Sequence, residues 1–100
     1  MTYYFLKLIP PRATFAQDLT PAEAALMQEH ATYWRGMMDK GIAAAFGLVG
    51  DPAGAYGVGI IEIDDGTDVH ALAAQDPTIR ANVGFRYEIL PMPRAATRAR

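Results

Sequence analysis

Two helical patterns are spaced among four apolar segments of strand type, and this order limits the folds open to the chain more than any other feature. The strands are predicted at Tyr3–Ile9, Gly41–Val49, Tyr56–Ile63 and Gly84–Leu90, and the helices at 20–40 and Thr67–Gln75. The order β-α-β-β-α-β predicts an α+β, ferredoxin-like fold, in which an antiparallel four-stranded sheet carries two helices on one face. A chain of 100 residues has the size of a single domain. We assign residues 1–93 to that domain and expect 94–100 to form a disordered basic C-terminal tail.

The first helix has the clearest local signals in the sequence. Thr20 suits its N-cap, Pro21 suits the first helical position, and Glu23 completes a capping box. Gly41 suits its C-terminal end. A helical spacing defines an apolar stripe, which we expect to face the core, at Met27, Ala31, Trp34 and Met38.

The first three predicted strands carry apolar side chains on both faces. In the first of them, Tyr4, Leu6 and Leu8 alternate with Tyr3 and Phe5. Two helices cover only one face of a four-stranded sheet, and a bare apolar face of that size is unusual on a monomer. We therefore expect a homodimer that packs sheet face against sheet face.

The composition excludes several classes of function. Because the chain has no Cys, it forms no disulfide, thiolate nucleophile or Cys-bound metal site. Because it also has no Ser, a Ser-His-Asp triad is excluded. A net charge of -2 gives no sign of nucleic-acid binding. The longest uncharged runs, Gly41–Gly50 and Pro52–Ile61, are too short for a membrane span, and the first residues do not resemble a signal peptide. We expect a cytoplasmic protein without nucleic-acid or membrane partners.

No metal or cofactor is expected from the sequence. His30 and His70 are the two histidines, and they lie on different predicted helices without the spacing of a metal site. Gly57 and Gly59 lie inside a strand that no helix follows directly, which disfavours a dinucleotide site. Glycines within strands more often mark a bulge or a close backbone approach.

His30 is the leading candidate for chemistry. It lies at the edge of the predicted apolar stripe, about 60° from Met27 around the helix. An imidazole there suits a proton shuttle, and it equally suits a half-buried side chain bonded to a carbonyl or to Tyr33.

Two carboxylates are candidates to orient His30. Asp39 follows it by nine positions on the same helix, about 180° around the axis, so the two side chains face apart. Asp76 ends the second predicted helix at the end of the sheet where the first helix begins. The directions in which the two predicted helices cross the sheet therefore predict that Asp76 approaches His30. Asp76 also suits a helix terminator before Pro77.

The chain resembles the YCII-related (YciI-like) proteins in the order and spacing of short motifs. The run His30–Gly41 resembles their H-x8-D-x-G helix end, and Gly47 matches a family glycine that Leu48 follows where Pro is usual. The segment Ala74–Pro77 resembles A-x-DP, and Tyr87–Met92 resembles the closing strand. The resemblance implies a dimeric α/β barrel with a His–Asp dyad, made here by His30 and either Asp39 or Asp76. It also implies small, often aromatic or lactone-like substrates that undergo proton transfer, elimination or cofactor-free oxidation.

Two functions follow as expectations. In the first, an enzyme uses His30 as general acid or base, Asp76 orients it, and a small molecule undergoes isomerisation, elimination or a related proton transfer. Tyr33 and Tyr87 would then hydrogen-bond a substrate oxygen, and Trp34 and Phe46 would form an apolar wall. In the second, the protein is a non-catalytic dimer that binds a small ligand in the same pocket.

Overall fold

The computed structural model describes residues 1–98, and over this range it contains four strands and four helices. Their order is β1 (Thr2–Ile9), α1 (Phe15–Asp18), α2 (Pro21–Asp39), β2 (Ala43–Val49), β3 (Tyr56–Ile63), α3 (Val69–Ala74), α4 (Pro77–Arg80) and β4 (Arg86–Met92). The predicted α+β class, the four strands and the two longer helices are confirmed. The two short helices, α1 and α4, lie outside the predicted elements.

The strands form one open antiparallel sheet in the order β2-β3-β1-β4. In its centre, Leu6 of β1 stands opposite Gly59 of β3 on one side and Ile89 of β4 on the other. A register irregularity between Ala43 and Ala45 interrupts the pairing of β2, which is an edge strand. The chain thus places β1 and β3 inside the sheet, with β2 and β4 at its edges.

The predicted capping box starts α2. The Thr20 side chain accepts a hydrogen bond from the Glu23 backbone N–H at 3.2 Å, and the Glu23 carboxylate accepts one from the Thr20 N–H at 2.8 Å. The helix then runs unbroken to Asp39, and Gly41 follows it with φ +77°. Because Gly lacks Cβ, it takes this left-handed conformation at little cost.

The predicted core stripe of α2 is wrong at its C-terminal end. Met38 is 42% exposed, whereas Met37 is 5% exposed and packs in the core with Trp34. Both methionines suit an apolar stripe by local spacing, but only Met37 lies on the side that Trp34 turns toward the sheet. The buried face therefore passes through His30, Trp34 and Met37, and His30 belongs to that face rather than to its edge.

Trp34 sits directly on the backbone of β3 at Gly59. A Cβ added to Gly59 would lie 2.2 Å from the nearest indole atom, so no larger residue fits without movement of the ring. This confirms a close backbone approach as the reason for a glycine within this strand. The contact fixes the height of α2 above the sheet, and with it the position of His30 one turn earlier.

The two faces of the sheet differ in cover. Leu6 and Leu8 of β1 are buried beneath the helices. Their neighbours Tyr3, Phe5 and Ile9 point to the other face and are only partly buried. On that open face Leu90 of β4 is 58% exposed.

The predicted tail has neither helix nor strand over residues 94–98, and positions 99 and 100 lie outside the described residues. Within the described part of the chain, no helix is both long and apolar enough to cross a membrane.

Candidate active site between the second helix and the sheet

Asp76 forms the centre of a buried polar cluster between α3 and α4. Its side chain is fully buried, and its backbone position is the N-cap of α4. Oδ1 accepts hydrogen bonds from the Thr78 backbone N–H and the Thr78 hydroxyl, both at 2.9 Å. Oδ2 accepts hydrogen bonds from the Tyr87 hydroxyl and, at 3.2 Å, from Trp34 Nε1. Donors from α2, α4 and β4 thus converge on one carboxylate.

His30 is a further partner of that carboxylate. Its Nδ1 lies 2.7 Å from Asp76 Oδ2, and its side chain is 13% exposed. The predicted approach of His30 and Asp76 is therefore confirmed. Asp39 is exposed at the far end of the same unbroken helix, about 13 Å along the axis from His30. The structure thus brings Asp76, and not Asp39 of the same chain, to His30.

The hydrogen bonds favour the ionised form of Asp76. Burial by itself raises the pKa of this carboxyl, but hydrogen bonds from His30, Tyr87 and Thr78 and the charge of His30 lower it, and the net pKa lies below its ordinary value. An ionised carboxylate only accepts hydrogen bonds, so Nδ1 of His30 must be the protonated nitrogen in this contact. Nε2 is then the nitrogen that carries a free lone pair in the neutral ring.

Tyr87 is held as a hydrogen-bond donor in the same cluster. Burial raises its pKa, and the neighbouring charge of Asp76 raises it further, so the phenol keeps its proton. Its oxygen also accepts a hydrogen bond from Trp34 Nε1 at 3.0 Å. The polar atoms of Tyr87 and Trp34 are both engaged with Asp76 and with each other.

Tyr33 has a different partner within the protein. Its hydroxyl donates to the Leu72 carbonyl of α3 at 2.6 Å. Burial and the Asp76 charge raise the pKa of this phenol as well. The contact ties α2 to α3 beside the Asp76 cluster.

An apolar cavity of about 390 Å³ has His30 in its lining. It lies among α1, α2 and the sheet, and its lining includes Phe15, Leu19, Met27, His30, Phe46, Leu48 and Phe85. The volume falls in the range of small-molecule sites. Of the four predicted ligand contacts, Phe46 lines this cavity, whereas Tyr33, Trp34 and Tyr87 lie outside its lining.

Thr78 is the site residue that the sequence analysis missed. The local signal was the run Asp76-Pro77-Thr78, in which Asp suits an N-cap and Pro the first helical position. By its position after α3 the run suits the end of one helix, and in the structure it is also the start of the next. The capping bonds from Thr78 hold the Asp76 carboxylate in place for His30.

The second histidine takes no part in the cluster. His70 is exposed on α3. Among residues 1–98, no group of three or more His, Cys, Asp or Glu side chains is arranged to hold a metal ion.

Comparison of the sequence with known proteins assigns the chain to a family. No curated protein matches the chain. The sequence model of the YCII-related domain matches residues 1–93, which include every strand, every helix and the whole Asp76 cluster. The chain therefore belongs to the YCII-related domain family.

Proposed function

We propose that the protein is a small-molecule enzyme in which His30 acts as general acid and base and Asp76 orients it. The observation that carries the proposal is the 2.7 Å contact between His30 Nδ1 and a buried carboxylate, on a ring that also lines an apolar cavity. Since Nδ1 is engaged by Asp76, Nε2 is the nitrogen left for a ligand. Asp76 then has the role of the side chain that orients a catalytic imidazole.

The chemistry is a proton transfer through Nε2. His30 takes a proton from a carbon or oxygen of the ligand, and the imidazolium that forms is stabilised by the Asp76 charge behind it. Return of the proton to another atom of the ligand gives isomerisation, and its delivery to a leaving group gives elimination. Positioned acid–base catalysis of this kind contributes about 10²–10⁴-fold to a rate. Small aromatic or lactone-like molecules suit the apolar wall that Phe46 and its neighbours form.

A turnover screen tests this function. Aromatic and lactone-like compounds are incubated with the wild type, with His30→Gln and with His70→Gln, which alters an exposed histidine outside the site. We expect turnover to fall by about 10²-fold or more in His30→Gln and to be unchanged in His70→Gln. Turnover that persists in His30→Gln would contradict the assignment. Tight binding without turnover would favour the second candidate, a ligand-binding protein that uses the same apolar cavity.

The assembly that we propose is a homodimer through the open sheet face. The strand order β2-β3-β1-β4, with the longer helices inserted after β1 and β3, supports the ferredoxin-like arrangement. The partly buried Tyr3, Phe5 and Ile60 and the exposed Leu90 give this face an apolar surface for a second copy. Such pairing would form a dimeric α/β barrel.

Sedimentation at micromolar protein concentration tests the dimer. We expect the wild type to have twice the mass of one chain, and Leu90→Arg to lower the association. Val83→Arg alters another exposed apolar residue, outside the strands, and should leave the mass unchanged. A stable folded monomer of the wild type would rule out the proposed assembly.

A further inference from the structure

The cavity beside His30 is nearly devoid of charge. Among the residues that line it, those with polar side chains are His30 and Tyr56. No Lys or Arg of residues 1–98 belongs to this lining. The charged group in contact with His30 is the Asp76 carboxylate, which adds negative charge behind the ring.

Three cations stand over rings of lining residues, Arg12 over Phe15, Lys7 over Tyr56 and Arg35 over Phe46, but none of the three cations belongs to the lining. Arg12 is bound by the carboxylates of Asp18 and Glu23, each at 2.8 Å. Lys7 stands over the Tyr56 ring, 4.4 Å from its centroid. Arg35 lies 5.8 Å from the centroid of Phe46, outside the lining. A carboxylate that entered the cavity would lose part of its water and meet no Lys or Arg side chain in the lining, and it would face a neutral His30 ring above the pH range in which an ordinary imidazole is protonated.

We infer that this cavity selects uncharged, apolar ring molecules that carry one weakly acidic hydrogen, such as a phenol or an enolisable ketone, and rejects carboxylates. The inference rests on the proposed function and names its substrate class. Burial of an unpaired anion is costly, whereas burial of an apolar ring in an apolar cavity is favourable. The acidic hydrogen of the ligand is donated in a hydrogen bond to Nε2 of His30.

Proton transfer inside the cavity then leaves the net charge unchanged. The oxygen–hydrogen or carbon–hydrogen bond of the ligand breaks, and a nitrogen–hydrogen bond forms at Nε2. The electron pair stays on the ligand as a phenolate or enolate, and the imidazolium beside it is the counter-ion. A ligand that arrives neutral therefore acquires its countercharge in the same step as its own charge.

Three naphthalenes of similar size test the selection. Binding of 2-naphthol, 2-methoxynaphthalene and 2-naphthoate is measured by titration calorimetry at pH 8, above the range in which an ordinary imidazole is protonated. We expect 2-naphthol to bind about tenfold or more tightly than 2-naphthoate, and more tightly than 2-methoxynaphthalene, which lacks the acidic hydrogen. Equal or tighter binding of 2-naphthoate would overturn the inference, as would failure of 2-naphthol to bind.

A charge added at the rim tests the cause of the selection. Leu48 lines the cavity and is 71% exposed, so Leu48→Arg places a cation beside the site without burying it in the core. We expect 2-naphthoate to bind Leu48→Arg about tenfold more tightly than it binds Leu48→Gln, the uncharged replacement at the same position. An equal effect of both variants would show that charge does not set the selection.

The outcome is separable from that of the proposed function. Charge selection is measured as binding by the wild type and the Leu48 variants, without turnover. The catalytic role is measured as turnover lost in His30→Gln. Selection that persists while His30→Gln remains active would uphold the ligand class and reject the catalysis, and loss of selection with turnover still dependent on His30 would do the reverse.

Discussion

Among residues 1–98, two clusters stand out in which carboxylates accept several hydrogen bonds, one fully buried at its carboxylate and the other more exposed to water. The Asp76 cluster consists of His30, Trp34, Asp76, Thr78 and Tyr87. The Arg12 cluster consists of Arg12, Thr14, Asp18, Thr20 and Glu23, and it joins α1 to the start of α2. Their distances are alike, at 2.7–3.2 Å for most contacts. The difference between them lies in their access to water.

In the exposed cluster, hydrogen-bond distances alone do not show how much the bonds contribute to stability. The Arg12 hydrogen bond and then the Thr20 N–H lower the pKa of Glu23 to about 2, and hydrogen bonds from Thr14 and Arg12 lower the pKa of Asp18. Water and salt compete with these exposed pairs, so they contribute little to stability. In the Asp76 cluster the same kind of bond has no aqueous alternative, and each lost donor or acceptor leaves a buried group without its partner.

The largest expected effect is that of Asp76→Asn. Removal of the charge that His30, Trp34 and Tyr87 face should lower the free energy of unfolding by about 3–5 kcal/mol in denaturant titrations. Asp39→Asn, at the exposed end of α2, is the control and should change it by less than about 0.5 kcal/mol. Similar losses in both variants would remove the distinction between a buried and an exposed carboxylate.

The nitrogen chemical shifts of His30 provide a second measurement on the same variant. In the wild type, ¹⁵N NMR of the neutral ring should show the proton on Nδ1, because Asp76 accepts it. In Asp76→Asn the proton should redistribute toward Nε2, and in Asp39→Asn it should remain on Nδ1. A wild-type ring protonated on Nε2 would contradict the proposed role of Asp76.

Acid should reduce the contribution of both clusters to stability. Salt should reduce only that of the exposed cluster, so a measurement in salt distinguishes the two. The pKa of Asp76 is lower in the folded state than in the unfolded chain, where an Asp has its ordinary pKa near 3.9. Its contribution to stability is therefore complete above that pH and is lost as the pH falls through the lower folded-state value. We expect Asp76→Asn to flatten this loss in about 1 M salt, where the contribution of Glu23 is already screened. An acid loss in that salt that is the same in both proteins would assign it to other groups.

Tyr87→Phe should have a smaller effect than Asp76→Asn. The variant keeps the ring and removes one donor to a buried charge, which corresponds to about 1.5–3 kcal/mol in the free energy of unfolding. The proton of His30 should stay on Nδ1, because Asp76 keeps its bonds from Thr78. Tyr3→Phe, on the open face, is the control for loss of a phenol. A tautomer change in Tyr87→Phe would mean that the phenol, and not the carboxylate alone, fixes the ring.

Thr20→Ala tests the N-cap hydrogen bond by which the start of α2 takes part in the exposed cluster. Loss of the N-cap bond should cost about 0.5–2 kcal/mol in the free energy of unfolding. Thr32→Ala removes a hydroxyl bonded to the Gln28 carbonyl in the middle of the same helix and should have almost no effect. If both variants were equally destabilised, the cap would not be the source of the loss.

The smallest effect is expected for Arg12→Gln. Its bonds to Asp18 and Glu23 hold α1, which contributes Phe15 to the cavity wall, but they compete with water. We expect a small loss in thermal midpoint at low salt that disappears in about 1 M salt. A large loss that salt does not change would show that this cluster behaves like the buried one.

Local patterns in the sequence predicted most of the fold. Apolar segments of strand type predicted the four strands, and the capping box predicted the start of α2, because both depend on neighbouring residues within a few positions. The direction of the crossovers also predicted that Asp76 would meet His30. Local spacing was not sufficient to choose between Met37 and Met38, since adjacent residues of one kind satisfy the same stripe.

The sequence by itself determined the four strands and two longer helices of this protein, their order, the cap of α2 and the absence of Cys and Ser chemistry, because these depend on residue type and local spacing. Only the tertiary structure decided which groups surround Asp76. The bonds from Trp34 and Tyr87 join residues 42 and 11 positions away, and the Trp34 ring reaches them because Gly59 lets it rest on the sheet. Such contacts depend on how far each helix stands above the sheet and how it is turned, and packing sets both quantities.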